Sequence, residues 1–200
     1  MTLAVVAAGA TGAVVAVEYG RVWRRGSAPL PVDADDPLEA AAEAAVETAE
    51  VARVGYRQGS RRENSLFNLL ASFVLTFITV RMITTLLHGR RRVGPFRDLV
   101  VGRRHIHHFV PGIALAFASG GAAIVSRNAD LEPWLAIPFG AGMGLTLDES
   151  ALLLELDDVY WTEEGILSVQ VSLAVAALLA AVALVVRVLR RGEREVLDTP

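Results

Sequence analysis

The chain has 200 residues, 53% of them apolar and 20% charged, with a net charge of −3 and a mean hydropathy of +0.44. A soluble domain carries about 25% charged residues and less apolar content than this, so disorder and a basic nucleic-acid-binding domain are excluded and no nucleic acid is expected as a partner. There is no cysteine and all 19 basic residues are arginine, which removes disulfides, thiolate metal sites, Schiff-base lysines and a phosphate-loop lysine.

The apolar content sits in long blocks. The first, Leu3 to Val17, has no basic residues ahead of it, so residues 1–20 read as an N-terminal membrane anchor or packed helix and not as a cleaved signal peptide. Residues 21–64 read as a linker with a short soluble helix. Pro29 and Pro31 open it, and Asp36-Pro37-Leu38-Glu39 fall at N-cap, N1, N2 and N3 of a helix that runs to about Gly55. Glu39, Glu43, Glu47 and Glu50 form its acidic face. Leu38, Ala42, Ala45, Val46 and Ala49 form a modest apolar face, expected to lie on the bundle or to pair with a second copy.

A helix needs roughly 20 mostly apolar residues to cross about 30 Å of hydrocarbon. Four stretches qualify, at about 65–87, 107–126, 134–154 and 166–186, within a bundle of residues 65–190 that a polar tail follows at 191–200. The second contains most of the 22 uncharged residues between Arg104 and Arg127, and the fourth most of the 22 between Glu164 and Arg187. The first carries Arg81 and ends at His88, while the third begins at Trp134 and carries Asp148 and Glu149. Such charges are tolerated where they face protein and not lipid. Gly140 and Gly144 form a small-xxx-small pair that admits a neighbouring helix, and Ala114, Ala118 and Gly121 are its expected counterpart. Pro138 should bend its helix, and Tyr160 and Trp161 read as interfacial anchors. The expected fold class is all-α: a polytopic transmembrane helix bundle of four core spans plus the N-terminal anchor.

Arginines set the orientation. With the N-terminus outside and five crossings, twelve arginines lie on the cytoplasmic side and six outside, at Arg90, Arg91, Arg92, Arg97, Arg103 and Arg104. This favours a multi-pass protein of the cytoplasmic membrane with its C-terminus inside. The six outside arginines are a local breach of the rule. Interleaved with Phe96 and Leu99-Val100-Val101, they read as a loop on the bilayer surface that holds anionic lipid head groups.

Alternating helices bring the end of 65–87, the start of 107–126, the end of 134–154 and the start of 166–186 to one membrane face. That face receives His88, the arginine loop, His105, His107 and His108, and the acidic run from Asp148 to Glu164. His105 and His108 share a side of a helix, as do Asp148 and Glu155. Neutral imidazoles with carboxylates are a ligand set for Zn, Fe or Mn. Pro111-Gly112 could supply the kink that turns the histidines together. The simpler reading is an ion pair, Arg81 with Asp148: each lies roughly 9 Å inside the end of its span, which makes Asp148 or Glu149 a natural partner for Arg81. Gly140, Gly142 and Gly144 match a nucleotide loop in letters only, since no strand precedes them.

The segments GRRHIHHFVPGIALAF and IPFGAGMGLTLDESALLLELDDVYWTEEG, with ENSLFN at the opening of the first core span, resemble a family of actinobacterial polytopic integral membrane proteins over about residues 37–187. The resemblance implies a multi-helix membrane fold and a bacterial source, and it supplies no catalytic residues. Three functions stay open. The first is a small membrane scaffold or interaction protein with a structural Arg81–Asp148 pair, acting as a homo-oligomer or with a membrane partner. The second is a membrane-surface metalloenzyme acting on a lipid or isoprenoid, with His105, His108, Asp148 and Glu155 as ligand candidates and Glu149 as general base. The third is an ion or proton pathway through Arg81, Asp148 and Glu149, for which the other spans offer few stepping stones.

Overall fold

The structure, a computed structural model, describes the backbone of residues 2–87, 92–93, 96–97, 100–101, 104–105, 109–148 and 163–197, and the side chains of 9–83, 109–148 and 174–197. Helices carry the fold: among the described residues they are α1 (Thr2–Arg25), α2 (Pro37–Arg57), α3 (Arg61–Leu87), α4 (Phe109–Val125), α5 (Glu132–Asp148) and α6 (Glu163–Val196). Two short antiparallel pairs lie between α3 and α4. The strands β1 (Arg92–Val93) and β2 (Phe96–Arg97) pair Arg92 with Arg97, and β3 (Val100–Val101) and β4 (Arg104–His105) pair Val100 with His105. Among the described residues one helix is long and apolar enough to cross a bilayer, Arg61–Ile83 of α3, with a mean hydropathy of 1.9. The apolar α4 has 17 residues, about 26 Å at 1.5 Å per residue.

Local chemistry explains the helix ends. Asp36 caps α2 from an extended conformation, accepting from the Leu38 N–H at 2.8 Å and the Glu39 N–H at 3.4 Å, with Pro37 in the first turn. Ser60 Oγ accepts from the Glu63 N–H at 3.2 Å at the start of α3. Arg24 and Arg25 close α1, where positive charge suits the carbonyl end of the helix dipole. Residues 191–196, placed in a polar tail by sequence, continue α6 as regular helix.

The chain forms two compact units, Met1–Asn64 with Leu179–Pro200, and Ser65–Leu178. In the first, Val22, Val51 and Leu189 make the apolar core, with Ala52, Val185, Val196 and Leu197 packed around it. The α2 and α6 backbones touch there. A β-carbon on Gly55 would collide with the Val188 carbonyl oxygen, and one on Gly192 with the Val51 carbonyl oxygen. The helices run antiparallel, since Gly55 meets Val188 and Val51 meets Gly192. The face of α2 that packs is Ala40, Ala44, Val51 and Gly55. Leu38, Ala42, Ala45, Val46 and Ala49, expected to lie on the bundle or to pair with a second copy, are exposed in the single chain. Small side chains win this contest because only they permit backbone-to-backbone approach.

In the second unit α5 lies between α3 and α4, and its glycines divide the work. Gly140 and Gly144 face α3: a β-carbon on Gly140 would collide with the Leu69 carbonyl oxygen and the Ser72 hydroxyl, and one on Gly144 would sit 2.9 Å from the Phe73 carbonyl oxygen. Gly142 faces α4, where its β-carbon would sit 2.6 Å from the Gly112 carbonyl oxygen and 2.7 Å from Ala116 N. The partner of Gly140 and Gly144 is thus α3. The α4 residues expected to meet them point away, with Ala114 and Ala118 exposed and open space beyond Gly121. Gly112, Ala116 and Gly120 make the α4 contact.

These close approaches make a quantitative prediction. Gly55→Ala and Gly192→Ala should each lower stability by about 1–3 kcal/mol, the usual penalty of overpacking. Gly121→Ala should be neutral or stabilise by up to about 1 kcal/mol through helix propensity alone. Thermal unfolding of the three variants in detergent checks the contrast.

Candidate functional site

The described residues contain two places where charge is taken out of water. The first joins α3 to α5. Arg81 Nε lies 2.7 Å from Asp148 Oδ1, with the Asp148 side chain 2% exposed and that of Arg81 40% exposed. Arg81 Nη2 also donates to the Asp148 carbonyl oxygen at 3.2 Å. One guanidinium therefore neutralises the carboxylate and satisfies a carbonyl of the last turn of α5, the end of a helix that favours a cation. The Phe77 ring lies 5.6 Å beneath the guanidinium carbon, within cation–π range. At the other end of α5, Asn68 Nδ2 donates to the Pro133 carbonyl oxygen at 2.7 Å.

Contacts at Asn68–Pro133, Ser72–Gly140, Phe73–Gly144 and Arg81–Asp148 rise together in number, so α3 and α5 are parallel. Gly112 meets Leu145, Ala116 meets Gly142 and Gly120 meets Phe139, so α4 is antiparallel to both. Arg81, the start of α4 and Asp148 consequently share one end of this unit. The hydroxyls inside it bond to their own helices: Ser119 Oγ donates to the Leu115 carbonyl oxygen at 2.6 Å, and Thr146 Oγ1 to the Gly142 carbonyl oxygen at 2.8 Å.

The second place is an ion cluster in the other unit that sequence reasoning missed. Glu193 of α6 is 2% exposed and takes Arg21 at 2.6 Å and Arg25 at 3.0 Å. Glu18 of α1 is 4% exposed and takes Arg21 at 2.7 Å and Arg190 at 3.1 Å. Arg21 thus bridges two buried carboxylates. Because Glu18 meets Arg190 while Arg21 and Arg25 meet Glu193, α1 and α6 run parallel here. Beside the cluster Arg191 binds Glu63 at 2.6 Å and donates to the Gly55 carbonyl oxygen at 3.0 Å, which ties the start of α3 to α6. Two signals could have exposed the cluster. Glu18 is the first carboxylate in the chain, at the end of an apolar run and three residues before Arg21, and Glu193 lies inside an arginine run.

Of the other residues singled out by sequence, His88, Arg90, Arg91, Arg103, His107, His108, Glu149 and Glu155 lie outside the described residues. Arg92, Arg97, Arg104 and His105 are described through their backbone in β1, β2 and β4. Among the described residues no three His, Asp or Glu side chains are grouped to hold a metal ion.

On the surface of α2, Arg53 makes a two-point ion pair with Glu50, its Nε donating to Oε2 at 2.8 Å. The Arg53 hydrogen bond holds the Glu50 carboxyl below its ordinary range, and the same bond raises Arg53. A lowered carboxylate adds stability above its unfolded pKa and loses it as pH falls through the folded value. That contribution is small for a pair open to water.

Neither a protein-family model, nor a curated protein, nor a solved structure matches the chain.

Removing one partner of a buried pair strands the other. Arg81→Ala should therefore destabilise by about 1–3 kcal/mol, less than the ~3–5 kcal/mol typical of a fully buried pair because Arg81 is part-exposed. Asp148→Asn added to it should recover part of the loss, and additive losses in the double-mutant cycle would mean no coupling. Glu193→Ala should cost more than Arg25→Ala, since it strands two arginines; denaturation of the purified variants measures both comparisons.

Proposed function

We propose that this chain is a multi-pass integral membrane protein with a scaffold or interaction role, its charge pairs serving architecture. The observation that carries this reading is the inverted polarity of the α3–α4–α5 unit. Its outer surface is apolar, with Phe117 79%, Ile124 87%, Val125 80%, Leu75 66% and Met82 59% exposed. Its buried residues include Gly140, Gly142, Gly144, Ser119 and Asp148 beside Phe73, Val74 and Phe77. A water-soluble bundle has the opposite arrangement, whereas helices in lipid pack through small residues and turn their charges inward. Apolar surface on this scale needs a covering, and the bilayer provides it.

Within each unit the helix directions are compatible with the five crossings read from the sequence. In one, α1 and α6 are parallel where Glu18 meets Arg190 and α3 starts where α6 ends; in the other, α4 is antiparallel to α3 and α5. We read the apolar residues before Glu18 as an inserted anchor. We place the N-terminus outside and the C-terminus in the cytoplasm on the arginine distribution. The motifs of residues 102–117 and 137–165 suggest kinship with the actinobacterial polytopic membrane proteins they resemble.

A metal-dependent activity on a lipid would have to proceed with Asp148 already committed to Arg81, leaving His105, His108 and Glu155 as ligands and Glu149 as base. Elemental analysis of the purified protein, with His105→Ala/His108→Ala as control, decides whether Zn, Fe or Mn is bound.

The absence of cysteine makes topology directly measurable. Single cysteines at Ser60, Ser126 and Thr162 should give protein that resists alkaline extraction from membranes. In intact cells, an impermeant maleimide should label only the Thr162→Cys variant. Equal labelling at all three positions, or release by carbonate, overturns the multi-pass reading.

A further inference from the structure

We propose that the outward face of α2 is a docking surface for a cationic amphipathic helix of a partner protein. This rests on the interaction reading above and names the chemistry of the partner. Residues 26–52 hold seven carboxylates, Asp33, Asp35, Asp36, Glu39, Glu43, Glu47 and Glu50, and no arginine. Within the unit formed by residues 1–64 and 179–200 the other carboxylates stand among arginines, so in that unit the unneutralised negative charge lies on this segment.

A second, independent feature is apolar. The exposed stripe Leu38, Ala42, Ala45, Ala49 has the 4-3-4 spacing of a helix-pairing seam. Leu38 is 82% and Val46 71% exposed. The helix does not need this stripe for its own packing, which uses Ala40, Ala44, Val51 and Gly55 on another face. Beside the stripe a groove of about 630 Å³ runs between α2, the end of α1 and the end of α6. Ala28, Ala42, Val46 and Val196 supply its apolar lining, and Glu39 and Glu43 stand at its rim with Glu47 and Glu50. Glu47 is occupied by the Ser27 N–H at 2.9 Å and Glu50 by Arg53. Glu39 and Glu43 carry no ion pair among the described residues and are free to meet a partner's cations.

An apolar seam flanked by unpaired carboxylates fits a helix with one apolar face and arginines or lysines on its borders. Other occupants fit less well. A second copy of α2 would bring the same carboxylates against these, at a like-charge cost. An anionic bilayer surface would be repelled for the same reason.

The test uses the full-length protein in phosphatidylcholine nanodiscs, with empty nanodiscs as blank. The probe is a labelled 18-residue helical peptide bearing Leu and Ala on one face and Arg on its borders. A scrambled peptide of identical composition and a version with Glu in place of Arg are the comparators. The amphipathic Arg peptide should bind at least tenfold more tightly than either. Val46→Asp should weaken it at least tenfold, and Glu39→Gln with Glu43→Gln should weaken it and flatten its salt dependence. Because Val46, Glu39 and Glu43 are exposed, circular dichroism and thermal unfolding of these variants should match the wild type.

Equal binding of the scrambled peptide, or indifference to Val46→Asp, overturns the proposal by reducing the surface to diffuse charge attraction. Self-association in the nanodiscs that is abolished by Val46→Asp overturns it in favour of a second copy. Failure of the membrane reading would appear in the maleimide pattern instead, without altering peptide binding at α2.

Discussion

Among the described residues each buried carboxylate is held by a guanidinium, and the architecture depends on those contacts. Glu18, Glu193 and Asp148 are between 2% and 6% exposed. An ionised carboxylate in a low-dielectric interior is strongly unfavourable unless it is paired and hydrogen-bonded. Arginine answers both needs, because its planar fork stays charged and offers several donors. Arg81 holds Asp148 twice, by an ion pair to its side chain and a hydrogen bond to its carbonyl. Arg21 bridges Glu18 and Glu193 through one nitrogen, Nη2. In both places the pair joins helices far apart in sequence, α3 to α5 and α1 to α6, so the charges fix which helices are neighbours and at what level.

Glycine makes the α3–α5 pairing geometrically possible. The reach of an arginine is useful only if the helix axes are close, and at Gly140 and Gly144 the opposing backbone occupies the volume a β-carbon would need, as it does at Gly55 and Gly192 where α2 crosses α6. Close backbone approach supplies dispersion contact without requiring large side chains. In the other unit the two devices are divided, the glycines joining α2 to α6 and the ion cluster joining α1 to α6. In the α3–α5 pair the glycines sit between Asn68 at one end and Arg81 at the other, so the register is set at both ends of α5.

How much of this was legible in the sequence depends on whether the signal was local. The α2 cap was written in Asp36-Pro37, since capping is a property of four consecutive residues. The Arg81–Asp148 contact was legible as well, because equal depth in two parallel spans follows from counting. The α2 packing face was not. The apolar stripe from Leu38 to Ala49 is the more hydrophobic side, yet Ala40, Ala44 and Gly55 are buried because the neighbouring helices demand small residues. Periodicity reports hydrophobicity, and closeness of approach is a tertiary property. The role of Gly192 was not legible either: within Arg-Arg-Gly-Glu-Arg nothing local marks it as the residue that lets Val51 and Gly55 approach, or Glu193 beside it as a partner of α1.

These features separate the two units by chemistry. The α3–α4–α5 unit exposes large apolar side chains and buries Phe73, Val74 and Phe77 together with its glycines and the Arg81–Asp148 pair. The unit built from α1, α2 and the end of α6 pairs its charges inside but leaves α2 with an apolar stripe and unpaired carboxylates on its surface. Burying that stripe against the chain's own helices would forfeit the glycine crossing of α2 with α6, because the two faces of α2 cannot pack inward together. The exposed face is thus the consequence of the packed one, and a surface left open by such a constraint is where an interaction role can reside without disturbing the fold.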